Sequence, residues 1–135
     1  MVIWITGKAG AGKTTHANWL AHVLRQDGKC PVILDGDWVR DHWDKHGYTD
    51  EDRQAHQFEI AMMASYLEKQ DLTPIIACVS PSQEVRKACR KLFNRSQLIY
   101  IIGGELWPGT SYDEPSIEEL VDGKIIMGRQ ICGTV

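Results

Sequence analysis

The sequence predicts an α/β fold in which helices cover both faces of a parallel sheet. Apolar runs at residues 2–5, 32–34, 74–79 and 98–102 read as buried strands. Helical periodicity fills the intervals between them, and Gly, Asp or Pro punctuates the junctions. At 135 residues the chain has the size of one domain, so a single unit over residues 1–135 is expected.

The first strand runs straight into Gly7-Lys8-Ala9-Gly10-Ala11-Gly12-Lys13-Thr14, a complete G-x-x-x-x-G-K-T loop with a helical pattern directly behind it. Glycines at 7, 10 and 12 let main-chain N–H groups approach phosphate oxygens, and the helix opening at Lys13 points its positive end at the same place. Gly7, Ala9, Gly10, Ala11, Gly12, Lys13, Thr14 and Thr15 are therefore the candidate nucleotide-binding residues. Lys13 supplies charge to the β- and γ-phosphates, and the Thr14 hydroxyl is suited to Mg²⁺. ATP and Mg²⁺ are the expected cofactors, on a P-loop NTPase fold.

From Lys13, the apolar positions Ala17, Leu20, Val23 and Leu24 share one helical face, and Asp27-Gly28 supplies the stop. The second strand ends on Asp35-Gly36-Asp37. A short helix is expected over 38–46, broken at Gly47-Tyr48, and Thr49-x-x-Asp52 reads as a capping box opening a long helix to about Lys69. The strand at 74–79 leads into Ser80-Pro81, and the helix over 82–93 turns Val85, Ala88, Cys89 and Leu92 inward. Five Gly and Pro residues mark 103–115 as a loop. Ser116-x-x-Glu119 suits a short capped helix ended by Gly123, while residues 124–135 either pair as a small strand or wrap the edge.

Composition excludes several classes. A net charge of −3 argues against a chain that coats nucleic acid. Cys30, Cys78, Cys89 and Cys132 form no C-x-x-C pair and are expected as reduced core residues; His16, His22, His42, His46 and His56 show no metal-binding spacing. The amino terminus has no basic leader and no apolar run reaches membrane length, so no membrane association and a cytoplasmic location are expected.

Phosphoryl transfer also needs a group that organises the metal and one that receives the acceptor's proton. Asp35 and Asp37, at i and i+2 just beyond a strand, are the candidates, giving a catalytic set of Lys13, Asp35 and Asp37 with Thr14 and Asp35 as metal residues. A plain turn with a helix cap would use the same two residues. The runs GKAGAGKTT, VILDGDWVRDHW, GYTDEDR and IIACVSPSQEVRKACR, in this order, resemble the adenylylsulfate kinase family over roughly residues 1–100. The resemblance implies a nucleoside-monophosphate-kinase-like, three-layer α/β/α fold. It further implies an ATP- and Mg²⁺-dependent phosphotransferase acting on the 3′-hydroxyl of adenylyl sulfate, a nucleotide-like small molecule. Carried over by position, Asp37, Arg40, Arg53 and His56 would handle the acceptor, and Val79, Ser80 and Pro81 would line its pocket. Guanidinium groups suit phosphate or sulfate oxygens on chemical grounds as well.

The chain departs from that family in two places. His56 stands where the family has Asn, and Phe58 and Glu59 stand where it has Arg, so an anion-binding wall has lost charge. The family's basic lid is absent, because Ile102 leads almost directly into Gly103-Gly104-Glu105-Leu106-Trp107. Closure over the substrates then falls to residues 107–112, to a partner subunit as in a homodimer, or to a large substrate. Trp38, Trp43, Tyr48 and Phe58 are available to stack on a base. Arg86, Lys87, Arg90, Lys91 and Arg95 form basic stripes that read as a solvated face or as a contact for a polynucleotide acceptor. A kinase of a hydroxylated base or polynucleotide end, and a nucleotide-binding module without turnover, are the alternative readings.

Overall fold

The computed structural model describes residues 1–43, 47–121 and 123–127. Five strands, β1 (Val2–Thr6), β2 (Pro31–Asp35), β3 (Thr73–Ala77), β4 (Ser96–Ile102) and β5 (Lys124–Met127), form one sheet in the order β2-β3-β1-β4-β5. Every pairing is parallel, from Ile3 beside Ile75 and Trp4 beside Leu98 to Tyr100 beside Ile125. Helices α1 (Lys13–Gln26), α2 (Gly36–His42), α3 (Asp50–Lys69) and α4 (Gln83–Arg90) supply the connections from β1 to β4, and no helix stands between β4 and β5 among the described residues.

β1 sits at the centre and is buried at all five positions, as expected for a parallel strand covered on both faces. Alternation along it divides the core. Val2 and Trp4 join Ile60, Ala61, Ala64, Ile76, Val85, Cys89 and Leu98 beneath α3 and α4, whereas Ile3 and Ile5 join Ala17, Ala21, Ile75, Ile99 and Ile101 beneath α1. The result is the three-layer α/β/α architecture that the sequence predicts.

Local chemistry sets the boundaries. Thr49 and Asp52 form the expected capping box, the Asp52 N–H donating to the Thr49 hydroxyl at 3.1 Å and the Thr49 N–H to the Asp52 carboxylate at 3.3 Å. Ser82 caps α4 through the Val85 N–H, so that helix begins at Gln83 and ends at Arg90, short of the expected 93. α2 begins at Gly36 and is closed by Trp43; the remainder of the helix expected to 46 lies outside the described residues. Ser116 and Glu119 exchange both capping bonds, yet they close a turn rather than a helix. Residues 124–127 pair as an edge strand on β4; the rest of the 124–135 segment, with Cys132, lies outside the described residues.

Three expectations about burial need correction. Val23 is exposed because the turn of α1 facing the sheet is centred on Ala17 and Ala21, with only Leu20 and Leu24 packed beside them. Leu92 lies beyond the end of α4 and is exposed, leaving Phe93 to turn inward. Cys30 is exposed before β2, whereas Cys78 and Cys89 are buried thiols. No helix among the described residues is long and apolar enough to cross a membrane.

Candidate active site

The carboxyl ends of β1, β2 and β3 open onto a cleft of about 940 Å³. Open parallel sheets bind ligands at this edge, where adjacent connections leave to opposite faces. Here α1 leaves one face and α3 and α4 cover the other.

One wall is the phosphate loop. Gly10 and Gly12 hold φ of +76° and +102°, a region that favours glycine, whereas Gly7 is required by space: a Cβ there would lie 2.7 Å from the Ile101 carbonyl oxygen. Ala9, Gly10, Gly12, Lys13, Thr14 and Thr15 line the cleft; Gly7 and Ala11 do not. Ala11 packs in the core and spends its N–H on the Lys8 carbonyl at 3.2 Å. The Lys13 ammonium donates to that same carbonyl at 2.8 Å, which holds it across the loop. Burial lowers the Lys13 pKa from its ordinary 10.5, against the opposing pull of Cys78, Asp37 and Asp35.

The acid pair faces this loop. Asp35 caps α2 and also faces the loop, because its two oxygens are divided. Oδ1 caps α2 by accepting from the Asp37 N–H at 2.9 Å and the Trp38 N–H at 3.4 Å, while Oδ2 accepts from the Thr14 hydroxyl at 3.1 Å. Thr14 and Asp35 thus present adjacent hard oxygen donors, the chemistry Mg²⁺ takes when phosphate and water complete its shell. No group of three or more His, Cys, Asp or Glu side chains suited to a metal occurs among the described residues. Asp37 is exposed on the first turn of α2 and lines the cleft.

The opposite wall comes from α2, α3 and the segment after β3. Arg40, Arg53, His56, Val79, Ser80 and Pro81 all line the cleft. Arg53 and His56 are one turn apart on α3, and His56 Nε2 lies 2.9 Å from the Gly36 carbonyl, tying α3 to the turn that carries both acids. Burial, followed by repulsion from Arg40, lowers the Arg53 pKa. Arg40 also lies over the Tyr48 ring at 4.6 Å. Both guanidiniums line the one cleft, and groups of this kind suit the oxygens of an anion. Ser80 holds φ of +49°, a conformation uncommon for a side chain with a Cβ, and several bonds pin it. Trp4 Nε1 donates to its hydroxyl at 2.8 Å, Cys78 Sγ lies 2.7 Å from the same oxygen, and Arg86 donates to its carbonyl at 2.6 Å.

Residues 105–111 form the rim. The Glu105 N–H donates to the Ala9 carbonyl at 2.9 Å, an isolated antiparallel bridge that seats this segment on the phosphate loop. Gly104 permits the approach, since a Cβ there would sit 2.4 Å from the same oxygen. Trp107 and Tyr48 stand on opposite lips, their ring centroids 6.4 Å apart and both largely exposed. A short strap, residues 105–111, therefore lines the cleft.

Of the basic residues expected as a stripe, Lys87, Lys91 and Arg95 are exposed, whereas Arg86 and Arg90 turn into the fold. Arg86 is fully buried, paired with Glu119 at 2.9 Å and bonded to the Asp113 and Ser80 carbonyls; Arg90 bonds Ser96 and the Glu119 carbonyl. Sequence reasoning missed Trp4, Cys78 and Gln57, of which the last two line the cleft. For Arg86 a signal existed, since it adjoins Val85 and lies one turn from Cys89 on the inward side of α4.

Residues 1–103 match the family model of adenylylsulphate kinase. A probable adenylyl-sulfate kinase of Aeropyrum pernix is 32% identical over 122 residues, covering 90% of this chain and 62% of that protein. A second, from Pyrococcus abyssi, is 37% identical over 100 residues, covering 73% and 58%. The Mycobacterium tuberculosis APS kinase CysC, solved in complex with AMPPNP and APS, superposes with a TM-score of 0.69 over 73% of this chain and 60% of its own; at 24% identity it shows a shared fold. The chain thus spans about three fifths of the length of these relatives. By the matched residues and the architecture, the chain belongs to the adenylylsulphate kinase family.

Proposed function

We propose that the chain is an ATP- and Mg²⁺-dependent kinase that transfers the γ-phosphate to the 3′-hydroxyl of adenylyl sulfate, acting in the cytoplasm as one kinase domain. The observation that carries this reading is the 3.1 Å bond from Thr14 to Asp35, which brings the phosphate loop against the acid pair in a cleft shared with Arg40 and Arg53. Bound Mg²⁺ would supply positive charge that offsets the phosphates. Thr14 and Asp35 would hold it, directly or through water. Lys13 and the loop amides grip the phosphate tail, and Arg40 and Arg53 take the anionic end of the acceptor. Asp37 accepts the hydroxyl proton as the acceptor oxygen bonds to the γ-phosphorus and the bond to the bridging oxygen breaks, leaving ADP.

Of the five basic residues behind the polynucleotide alternative, Arg86 and Arg90 are bonded within the fold, while Lys87, Lys91 and Arg95 are exposed. Incubation with γ-labelled ATP and separate acceptors (adenylyl sulfate, nucleosides and hydroxymethylated DNA) tests the reading. Label is expected in adenylyl sulfate, with Asp37→Asn lowering turnover by about 10²-fold and sparing ATP binding. Label in another acceptor, or equal loss of ATP binding in Asp37→Asn, would overturn it.

A further inference from the structure

Gln57 lies on α3 between His56, which is tied to Gly36, and the core residue Ile60. The residue is among those that line the cleft, beside Arg53 and His56 of the same helix, although it is only 3% exposed. The carbonyl oxygen Oε1 is buried without a hydrogen-bond partner. A buried amide oxygen left unpaired is costly, and few such groups survive in a fold unless something else satisfies them. Nothing in the phosphate transfer assigned above uses this group. An apolar side chain of the same size would fill the position without the cost, so the amide points to a ligand that completes it.

We infer that Gln57 is a specificity-determining residue: its Oε1 accepts a hydrogen bond from a neutral N–H or O–H donor of the acceptor nucleotide. The inference rests on the kinase reading and deepens it. Adenylyl sulfate carries three such donors, the 6-amino group and the 2′- and 3′-hydroxyls, whereas its phosphate and sulfate are ionised and accept only. Arg40 and Arg53 then fix the charged end while Gln57 reads an uncharged one. A site built to pair a donor rejects an analogue that lacks it more sharply than a hydrocarbon pocket rejects a missing methylene.

The experiment is calorimetric binding of adenylyl sulfate and of its analogues lacking the 6-amino, the 2′-hydroxyl or the 3′-hydroxyl, with Mg²⁺ and ADP present. Wild type is compared with Gln57→Met, or with Gln57→Leu should the first not fold. One analogue is expected to bind wild type about tenfold to a hundredfold more weakly than the parent does. Gln57→Met should bind the parent with that same loss and the analogue with no further loss, since the two changes remove one bond. Its thermal midpoint should equal or exceed that of wild type, because an unpaired buried oxygen has gone. Unchanged affinity in the variant, additive losses with every analogue, a fall in midpoint with uniform weakening, or no binding of any of the four nucleotides would overturn the inference. The labelling assay judges the kinase reading separately: binding that follows the expected pattern without transfer to adenylyl sulfate would sink that reading and leave Gln57 its role.

Discussion

Lys13 shows how one residue's surroundings translate into a measurable pH dependence. Burial disfavours its charged form, so in the free protein the ammonium loses its proton at a lower pH than the ordinary 10.5. Phosphate oxygens favour the charged form. As pH rises through the lowered pKa, nucleotide binding must be accompanied by proton uptake and affinity falls. Titration of Mg²⁺-AMPPNP at increasing pH should show weakening that sets in below pH 10.5, and the effect should vanish from the weak residual binding of Lys13→Ala. A pH-independent affinity in wild type would contradict the assignment of Lys13 to the phosphates. At this scale the phosphate loop and acid pair were legible because their chemistry is local in sequence. Trp4, Cys78 and Gln57 were not, because a strand tryptophan, a small thiol and a helical amide reveal their roles only once α3, β1 and β3 are packed together.

Among the elements, α4 departs furthest from its sequence reading. Three basic residues on a helix of eight suggest solvent, yet the fold takes Arg86 inside and uses it as a three-way clamp on Glu119, Asp113 and Ser80. That clamp joins the segment after β4 to the strained corner after β3, so the element with no assigned chemistry holds this wall of the cleft in shape. Arg86→Met leaves Glu119 buried without its cation and should cost about 3–5 kcal/mol in denaturant unfolding. Lys87→Met, which removes only an exposed pair with Glu118 at 3.8 Å, should change stability by well under about 1 kcal/mol. Similar losses in both would mean that Arg86 is not a clamp. The helix boundaries themselves were readable wherever a side chain caps them, as at Thr49 and Ser82. β5 was not, because a four-residue edge strand with Ile125 and Met127 exposed owes its pairing to β4 rather than to any pattern of its own.

Across the whole molecule, one sheet edge gathers residues from positions 8 to 111 into a single cleft, with phosphate loop, acid pair and paired arginines on facing walls. The parallel order was legible from alternating strands and helices, since parallel strands require crossovers and the crossovers were the helices. The cleft's closure was less so. The sequence reading offered residues 107–112 as one of three means of covering the cleft, and the strap seated on Ala9 lines its rim from Glu105 to Ser111. The central claim is that the amides around Lys13, with Thr14 and Asp35, hold a magnesium nucleotide. Calorimetric titration of the folded protein with AMPPNP, with and without Mg²⁺, tests it most directly. One nucleotide per chain should bind, tighter with Mg²⁺ than without and far weaker in Lys13→Ala; no measurable complex, or one indifferent to both Mg²⁺ and Lys13, would contradict the account.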